Sequence, residues 1–223
     1  MYQKSIVLKP EISVIMPVFN GARFLQRSIA SVLLQKFQNW ELVAVDDGSE
    51  DESYQSLLQF AASEPRIRPL RFLNNRGTST ARNFALRHCQ GQMITYLDCD
   101  DEYYPHYLEY VYRLRNKGDV LVFAYDAVDD DGVLLQPGEV RTWNPATVRM
   151  LLLQRNVSCP LGVAHRRELL EKVGFFDESK RILEDWDLWK RFAFIGAEFI
   201  YLSIRSGLYH IRIDSQSRTW RGG

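Results

Sequence analysis

Three aspartates stand within four positions of the segment YLDCDDEYY, directly after an apolar run. Asp98, Asp100 and Asp101 follow residues 93–97, which have the pattern of a buried strand. Carboxylates packed this closely repel one another, and each resists desolvation unless a positive charge compensates it. Hard divalent cations such as Mg²⁺ or Mn²⁺ take oxygen ligands of this kind, usually together with substrate phosphates. A capped turn would explain a single aspartate, whereas the cluster favours a cation site.

Two other apolar runs also end in polar turns. Residues 12–18 lead into the turn at residues 20–21, and residues 41–45 lead into the sequence DDGS at residues 46–49. Ligands of open α/β sheets bind beyond the carboxyl ends of the strands. We therefore expect both turns and the acidic segment to converge on one crevice. Phe19 lies beside the first turn, where it would either stack on a base or pack in the core.

Apolar periodicity predicts the elements that position these turns. Strand and helix patterns alternate four times between residues 11 and 118, which indicates right-handed β-α-β units on a mostly parallel sheet. Beyond Asp119 the pattern predicts one or two strands with a turn at Asp131-Gly132, three helices, and two closing strands with the sequences EFIYLS and SGLYHIRI. Because no linker or repeat divides the chain, we expect one α/β domain over residues 1–223, with a Rossmann-like central sheet flanked by helices.

The composition argues against several classes of protein. The chain has 223 residues, and 28 Lys and Arg balance 28 Asp and Glu, so no global charge favours nucleic acid. Three widely spaced cysteines fit neither a zinc site nor a disulfide framework, which indicates a reducing compartment such as the cytoplasm. We find no signal-peptide pattern and no apolar stretch of roughly 18 residues. Since GxGxxG and GxxxxGK[ST] are also missing, phosphate charge would be met by metal and by side chains such as Arg82.

Six segments resemble, in order and approximate spacing, the family-2 glycosyltransferases of the GT-A fold. They are ISVIMPVFNGARFLQRSIASVLLQ, ELVAVDDGSEDES, NRGTSTARNFAL, GQMITYLDCDD, VGFFDE and EDWDLWKR. The resemblance extends from about residue 11 to residue 217. It implies a GT-A domain in which residues from about 11 to 118 bind the nucleotide sugar and residues from about 119 to 217 bind the acceptor.

The resemblance implies a donor site at the strand ends. Pro17 and Phe19 match nucleotide-binding positions, with Phe19 near the base, and Asp47 matches the carboxylate that hydrogen-bonds the base. Arg82 matches the family's Ala-Arg-Asn motif, for which a contact with donor phosphate and a structural contact are both open. Asp98 matches the first aspartate of the Asp-x-Asp motif, which faces the ribose or the sugar.

The same motif implies a divalent metal cofactor, Mn²⁺ or Mg²⁺. Asp100 would hold the cation on the donor diphosphate, with Asp98 beside it. In the closing segment LYHIRIDSQSRTW, His210 and Arg212 could reach the metal or the diphosphate. His210 is either a metal ligand or a structural histidine, because Asp214 stands where many relatives have histidine.

The segment EDWDLWKR resembles the family's Glu-Asp motif at the start of a helix over the acceptor. Asp185 matches the catalytic base, and Glu184 would support it. Taken alone, acidic residues at a helix N-terminus are explained by the helix dipole. An inverting transfer needs one such carboxylate to take the acceptor hydroxyl proton, while a Lewis acid stabilises the departing nucleoside diphosphate.

The sequence therefore predicts a metal-dependent, inverting glycosyltransferase. The expected donor is a nucleotide sugar, UDP-linked, and the expected acceptor is a hydroxyl group of a saccharide, lipid-linked or protein-linked substrate in polysaccharide or glycoconjugate biosynthesis. We expect a cytoplasmic protein that binds no nucleic acid, with peripheral association at the inner face of the membrane as an option and the oligomeric state open. A sugar nucleotidyltransferase and a catalytically inactive nucleotide-sugar-binding protein are the alternatives.

Overall fold

The computed structural model describes residues 9–138 and 145–212. Within these residues the chain forms nine strands and seven α-helices. The strands are β1 (Ile12–Val18), β2 (Trp40–Asp47), β3 (Ile67–Phe72), β4 (Met93–Tyr96), β5 (Glu102–Tyr103), β6 (Val120–Val128), β7 (Leu134–Gln136), β8 (Val163–Arg166) and β9 (Phe199–His210). The helices are α1 (Ala22–Leu33), α2 (Ser53–Ser63), α3 (Thr78–His88), α4 (Tyr107–Leu114), α5 (Pro145–Gln154), α6 (Glu168–Val173) and α7 (Glu184–Phe194).

All nine strands belong to one sheet with the order β3-β2-β1-β4-β8-β6-β9-β5, and β7 pairs with β6 beside this path. The strands β3, β2, β1 and β4 are parallel neighbours, and so are β6 and β9. Strand β8 runs antiparallel to both β4 and β6, and it joins the two parallel groups. The prediction of an α/β domain with a mostly parallel sheet and flanking helices is confirmed.

Helices cover both faces of the central strands. Every residue of β1 and β2 is buried. Met16 packs in one apolar cluster with Leu25 of α1, whereas its neighbour Ile15 packs in a second cluster with Ala81 of α3. Alternate residues of a strand point to opposite faces, so a run that is apolar at every position requires a layer on each side. Burying each large apolar side chain in these layers stabilises the fold by about 1.5–3 kcal/mol.

The closing strands differ from the sequence-based prediction. Residues 199–210, which include most of the segments EFIYLS and SGLYHIRI, form one continuous strand, β9, so the prediction of two separate strands was wrong. The pairing of β9 with β6 shifts register between Phe123 and Asp126. Such a bulge lets the ladder continue past residues that interrupt the apolar alternation. The short strands β5 and β8 were not predicted, because two and four residues are too few to show a period.

Helices α5 and α7 lie side by side. Arg149 Nε donates a hydrogen bond to the carbonyl oxygen of Ala193 (2.9 Å), and Trp186 Nε1 donates to the carbonyl oxygen of Leu152 (2.7 Å). These bonds bring the end of α5 next to the beginning of α7. In residues 9–138 and 145–212, no helix has the length and apolar character needed to cross a membrane.

Candidate functional site

A cavity of about 510 Å³ opens at the carboxyl ends of β1, β2 and β4. Its walls include every residue that the sequence nominates for the donor, the metal or the base. These residues are Pro17, Phe19, Asp47, Arg82, Asp98, Asp100, Glu184, Asp185 and His210. The fold thus brings together side chains from both halves of the chain, and their individual roles stay predictions. We refer to this space as the main cavity.

The turn after β1 is held by the turn after β2 and packs closely on the acidic segment. The amide of Asn20 donates a hydrogen bond to Ser49 Oγ (2.9 Å). A Cβ atom on Gly21 would lie 2.7 Å from the sulfur of Cys99, so any larger residue at this position would require the Cys99 side chain to move. These contacts fix Phe19 at the wall of the main cavity, where it is 48% exposed. The alternative that Phe19 packs in the core is therefore wrong.

Asp47 ties the end of β2 to the loop before α3. Its Oδ1 accepts a hydrogen bond from the amide of Arg76 and its Oδ2 accepts one from the amide of Gly77, both at 2.8 Å. Burial raises the pKa of Asp47, and the two backbone donors oppose that rise. A carboxylate has about four lone-pair sites. Asp47 can therefore accept a further bond from a ligand while it holds the loop.

The two carboxylates of the Asp-x-Asp motif face arginines. Asp98 Oδ1 lies 2.8 Å from Arg82 Nη2, and Asp100 Oδ2 lies 2.9 Å from Arg212 Nε. Burial and the nearby Asp98 raise the pKa of Asp100. The arginines thus offset only part of the repulsion that the sequence predicts for this segment.

Arg82 links the acidic segment to α7. Its guanidinium lies 2.8 Å from Asp98 Oδ1 and 2.7 Å from Glu184 Oε1, and the residue is 2% exposed. Burial alone would lower the pKa of Arg82, but the two carboxylates raise it, so the side chain stays charged. The sequence left open whether Arg82 contacts donor phosphate or makes a structural contact. The ion pairs with Asp98 and Glu184 are a structural contact.

Asp185 lies in the first turn of α7, where it is buried. The helix begins directly after Leu183, which adopts a left-handed conformation (φ 59°) of the kind that clusters at functional sites. Asp185 Oδ2 accepts a hydrogen bond from Asn156 Nδ2 (2.8 Å), and Oδ1 accepts one from the amide of Trp186 (2.7 Å). Burial and the adjacent Glu184 raise the pKa of Asp185. The result is a carboxylate at the cavity wall that binds a proton more readily than an exposed aspartate does.

His210 is buried against the acidic segment. Its Nε2 lies 2.9 Å from Glu102 Oε1, and its amide donates a hydrogen bond to Asp101 Oδ1 (2.9 Å). Burial, with the charges of the neighbouring aspartates, raises the pKa of Asp101 well above its usual range. His210 Nδ1 is buried and has no hydrogen-bond partner within the described residues. A buried nitrogen is costly to leave unpaired.

The main cavity offers oxygen donors to a hard cation without forming a complete metal site. Within residues 9–138 and 145–212, no group of three His, Cys, Asp or Glu side chains is arranged to hold a metal ion. Mg²⁺ and Mn²⁺ commonly take one or two carboxylates and complete their coordination with phosphates and water. Asp98 and Asp100 are two such carboxylates, so the residues fit a cation that is bound together with a diphosphate.

Sequence reasoning missed Asn156, which contacts Asp185 across 29 positions of sequence. In the sequence Asn156 is the last residue of the predicted helix NPATVRMLLLQRN, and nothing in that segment marks it as part of a site. The loop residues Arg181 and Ile182 also line the main cavity. Their segment carries no motif of its own, so only the fold reveals them.

The chain is similar in sequence to known glycosyltransferases. The family model described as "Glycosyl transferase family 2" matches residues 13–174. An Escherichia coli protein, "UDP-Glc:alpha-D-GlcNAc-diphosphoundecaprenol beta-1,3-glucosyltransferase WfgD", is 32% identical over 180 residues, which are 80% of this chain and 68% of that protein. The first curated relatives are uncharacterized glycosyltransferases of Rickettsia species at 27% to 30% identity, and the match spans only 27% to 63% of their length.

Solved structures show the same fold. S. aureus TarS 1-349 in complex with UDP-GlcNAc has a TM-score of 0.76 at 22% identity, with 96% of this chain and 61% of that chain covered. A mannosyltransferase, PcManGT from Pyrobaculum calidifontis in complex with GDP-Man and Mn²⁺, has a TM-score of 0.69 at 19% identity, with 96% and 61% covered. These likenesses confirm the GT-A fold predicted from the sequence.

Proposed function

The chain belongs to glycosyl transferase family 2, and we propose that it transfers a sugar from a UDP-linked donor to an acceptor hydroxyl group with inversion at the anomeric carbon. The observation that carries this proposal is the composition of the main cavity. One wall holds the Asp-x-Asp pair, Asp98 and Asp100, and another holds Asp185, a buried carboxylate with a raised pKa. A single-displacement transfer needs a site for the leaving diphosphate and a base for the attacking hydroxyl.

In this proposal the donor nucleotide lies at the ends of β1 and β2. Pro17 and Phe19 form the wall beside the base, and the exposed ring of Phe19 can stack on it. Asp47 uses its remaining lone pairs to accept a hydrogen bond from the base. Arg82 is proposed to position Asp98 and Glu184 without contacting the donor directly, because its guanidinium is already paired with both carboxylates.

The cofactor is proposed to be Mn²⁺ or Mg²⁺, held by Asp100 with Asp98 beside it. When bound, such a cation neutralises charge that develops on the departing diphosphate. Arg212, which lies 2.9 Å from Asp100, can turn its guanidinium toward a phosphate oxygen. His210 lines the same region and is the further candidate ligand that the sequence proposed.

Asp185 is proposed as the base of the reaction. The acceptor oxygen forms a bond to the anomeric carbon, the bond from that carbon to the diphosphate oxygen breaks, and the hydroxyl proton passes to the Asp185 carboxylate. A raised pKa brings a carboxylate closer to the pH at which it works, which favours proton transfer. Glu184 contributes to that rise and is itself held by Arg82.

The acceptor is proposed to carry its hydroxyl group on a sugar, either in a free saccharide or in a lipid-linked or protein-linked one. The name of the Escherichia coli relative describes a sugar attached to diphosphoundecaprenol. An acceptor of that kind would bring this chain to the cytoplasmic face of a membrane. In the proposed division of the domain, residues from about 11 to 118 bind the donor and residues from about 119 to 217 bind the acceptor.

A thermal-shift panel tests the proposal. UDP-glucose, UDP-N-acetylglucosamine, GDP-mannose and the free diphosphates are each added with Mn²⁺, with Mg²⁺ or with EDTA. A ligand that binds only the native state raises the melting temperature, by about 5 °C or more for a protein of this size at roughly 100 times Kd. We expect a UDP-sugar to do so only with the cation. The proposal is contradicted if no nucleotide sugar changes the melting temperature and none is hydrolysed.

A further inference from the structure

A second cavity, of about 360 Å³, lies beside the main cavity. It is formed by β6 and β9, by the segment after β7 and by the segment after α5. Tyr209 lines both cavities. We call this second space the tyrosine cavity, because its walls contain Tyr125, Tyr201 and Tyr209. Its size falls within the range of small-molecule sites, roughly 300–1,000 Å³.

The tyrosine cavity reaches the residue proposed as the base. Asn156 lines it, and Asn156 Nδ2 donates the 2.8 Å hydrogen bond to Asp185 Oδ2. Asp185 itself lines the main cavity. A molecule whose hydroxyl group meets Asp185 can therefore extend past Asn156 into the tyrosine cavity.

The lining indicates which chemistry the cavity would bind. The rings of Tyr125 and Tyr209 have centroids 5.7 Å apart, and tyrosine combines an apolar face with a polar hydroxyl group. Gln136 and Asn156 add amide groups that both donate and accept hydrogen bonds. Among the described residues that line the cavity there is no Asp or Glu, so it has no carboxylate for a metal ion. Flat apolar faces edged by neutral polar groups match a sugar ring, which has apolar CH faces and hydroxyl groups at its edge.

Two other ligands fit the lining less well. A diphosphate would need several cations or backbone donors around it, and Arg155 is the one basic residue among the described residues of the lining. A long hydrocarbon chain would cover the amide group of Gln136 and offer it no hydrogen bond, which is unfavourable. Both ligands remain as outcomes that the experiment distinguishes.

We propose that the tyrosine cavity is a subsite for the sugar residue adjacent to the one that accepts the transferred sugar. This inference rests on the proposed function, and it narrows the acceptor to a saccharide of at least two residues. The chain would then extend an existing sugar chain and would use a single sugar poorly. The terminal residue would meet Asp185 in the main cavity, and the next residue would lie between the tyrosines.

The test compares acceptors that differ only in length. Wild-type protein, UDP-glucose and Mn²⁺ are incubated with a library of labelled mono-, di- and trisaccharides that share terminal residues, and transfer and UDP-glucose hydrolysis are recorded separately. We expect kcat/KM to be higher by about tenfold or more for a disaccharide than for its matched monosaccharide, the scale that one additional bound group contributes.

Two variants and a control test whether the higher kcat/KM for a disaccharide, called here the disaccharide advantage, depends on the tyrosine cavity. Tyr201→Ala removes one ring, and Ala124→Phe fills the space from β6 without removing a polar group. The control is Tyr110→Ala, which removes a half-buried tyrosine from α4. Tyr110 is not among the described residues that line either cavity. Both cavity variants should lose the disaccharide advantage while monosaccharide transfer and UDP-glucose hydrolysis stay within about twofold of wild type. The control should keep the advantage.

Three results would overturn the subsite. One is an equal kcat/KM for mono- and disaccharides, and another is an advantage that survives in both Tyr201→Ala and Ala124→Phe. The third is UDP-glucose hydrolysis without transfer to any saccharide, together with transfer to a sugar diphosphate carrying a short lipid, which would assign the cavity to that group. Failure to bind or hydrolyse any nucleotide sugar would instead contradict the proposed function, and the subsite with it.

Discussion

The acidic segment and the first turn of α7 face the same cavity, yet their carboxylates have different partners. Asp98 and Asp100 each lie within 3 Å of an arginine nitrogen, at 2.8 and 2.9 Å. Asp185 accepts its two hydrogen bonds from neutral N–H groups, those of Asn156 and Trp186. A neighbouring arginine lowers the pKa of a carboxyl group, yet burial and Asp98 still raise the pKa of Asp100, as burial and Glu184 raise that of Asp185. The two sites therefore differ in the charge of their partners and not in the direction of these pKa shifts, and the roles proposed for them rest on that difference in partners.

The contrast has a structural origin. Arg82 comes from α3 and Arg212 follows β9, so two distant elements deliver cations to the end of β4. Asp185 instead meets the residue that follows α5, the helix that packs beside α7. Two carboxylate sites of one cavity can thus have different partners because different elements of the fold supply them.

The largest effect is expected from Asp185→Asn. The amide keeps the size of the side chain but cannot take a proton, so turnover should fall by roughly 10²-fold or more, the scale of general-base catalysis. Affinity for the donor nucleotide should change little, because that binding depends on the opposite wall. Steady-state kinetics and calorimetry with UDP measure the two quantities separately. A wild-type rate in the variant would show that the base lies elsewhere.

Arg82→Gln should mainly affect stability. It leaves Asp98 and Glu184 without their shared cation, and Glu184 is largely buried with a side chain only 16% exposed. Breaking such a pair costs about 3 kcal/mol, at the lower end of the usual range because Asp98 is one third exposed. Urea denaturation measures the loss.

The matched control for that experiment is Arg87→Gln, which removes an exposed pair with Glu178 at 3.8 Å. A surface pair contributes less than about 1 kcal/mol. Similar losses in both variants would mean that Arg82 does not bridge the two walls.

Asp100→Ala tests the cation-binding role proposed for the acidic segment. We expect the variant to fold normally and to lose the Mn²⁺-dependent part of UDP binding, by about tenfold or more in affinity, since a direct oxygen ligand is removed. Calorimetry with and without Mn²⁺ measures this difference. Asp131→Ala, in the exposed turn before β7, is the control. Unchanged metal-dependent affinity in Asp100→Ala would exclude Asp100 from the site.

The smallest effect is expected from Asn156→Ala, and its pH dependence is the diagnostic feature. The base must be ionised to act, so activity falls on the acid side as Asp185 takes up a proton. Asn156 donates to the ionised form, and without it the pKa of Asp185 rises further, which moves the acid limb of kcat/KM to higher pH. Turnover at neutral pH should fall by about tenfold, as expected for one hydrogen bond of ~1.5 kcal/mol to a charged group. Asn116→Ala, an exposed residue far from the cavity, should leave the profile unchanged. An unshifted acid limb in Asn156→Ala would rule out this positioning role.

The first half of the fold could be predicted because its strands are buried on both faces. The observed β1, Ile12–Val18, is the apolar run identified from the sequence, and Asp98 follows β4 where the pattern placed it. Asp47 is the last residue of β2, which extends two residues beyond the predicted end of the strand. The pairing of strands across the sheet was harder to predict from the sequence. The bulges between β6 and β9 allow one strand where periodicity predicts two, and two-residue β5 leaves no pattern at all.

The residues of the candidate site could be predicted wherever a motif marks a turn. The residues that contact them from distant parts of the chain could not be predicted. Asp98 and Asp100 are recognisable as a cluster in the local sequence, and Asp185 is recognisable only through the resemblance to the family's Glu-Asp motif. The residues that set their chemistry, such as Asn156, lie far away along the chain and carry no motif. Which cation or amide reaches a given carboxylate depends on how α5, α7 and β9 pack, and that information is absent from any short window of sequence.

The anomeric configuration of the product tests the central claim most directly. The proposed base on one wall and the proposed diphosphate site on another imply a single in-line displacement, in which the attacking oxygen enters opposite the leaving group. An α-linked UDP-sugar should therefore give a β-glycoside, and the coupling constant of the anomeric proton in the NMR spectrum distinguishes the two products. A β-linked product is the result that this account predicts. An α-linked product would contradict single displacement and the role proposed for Asp185.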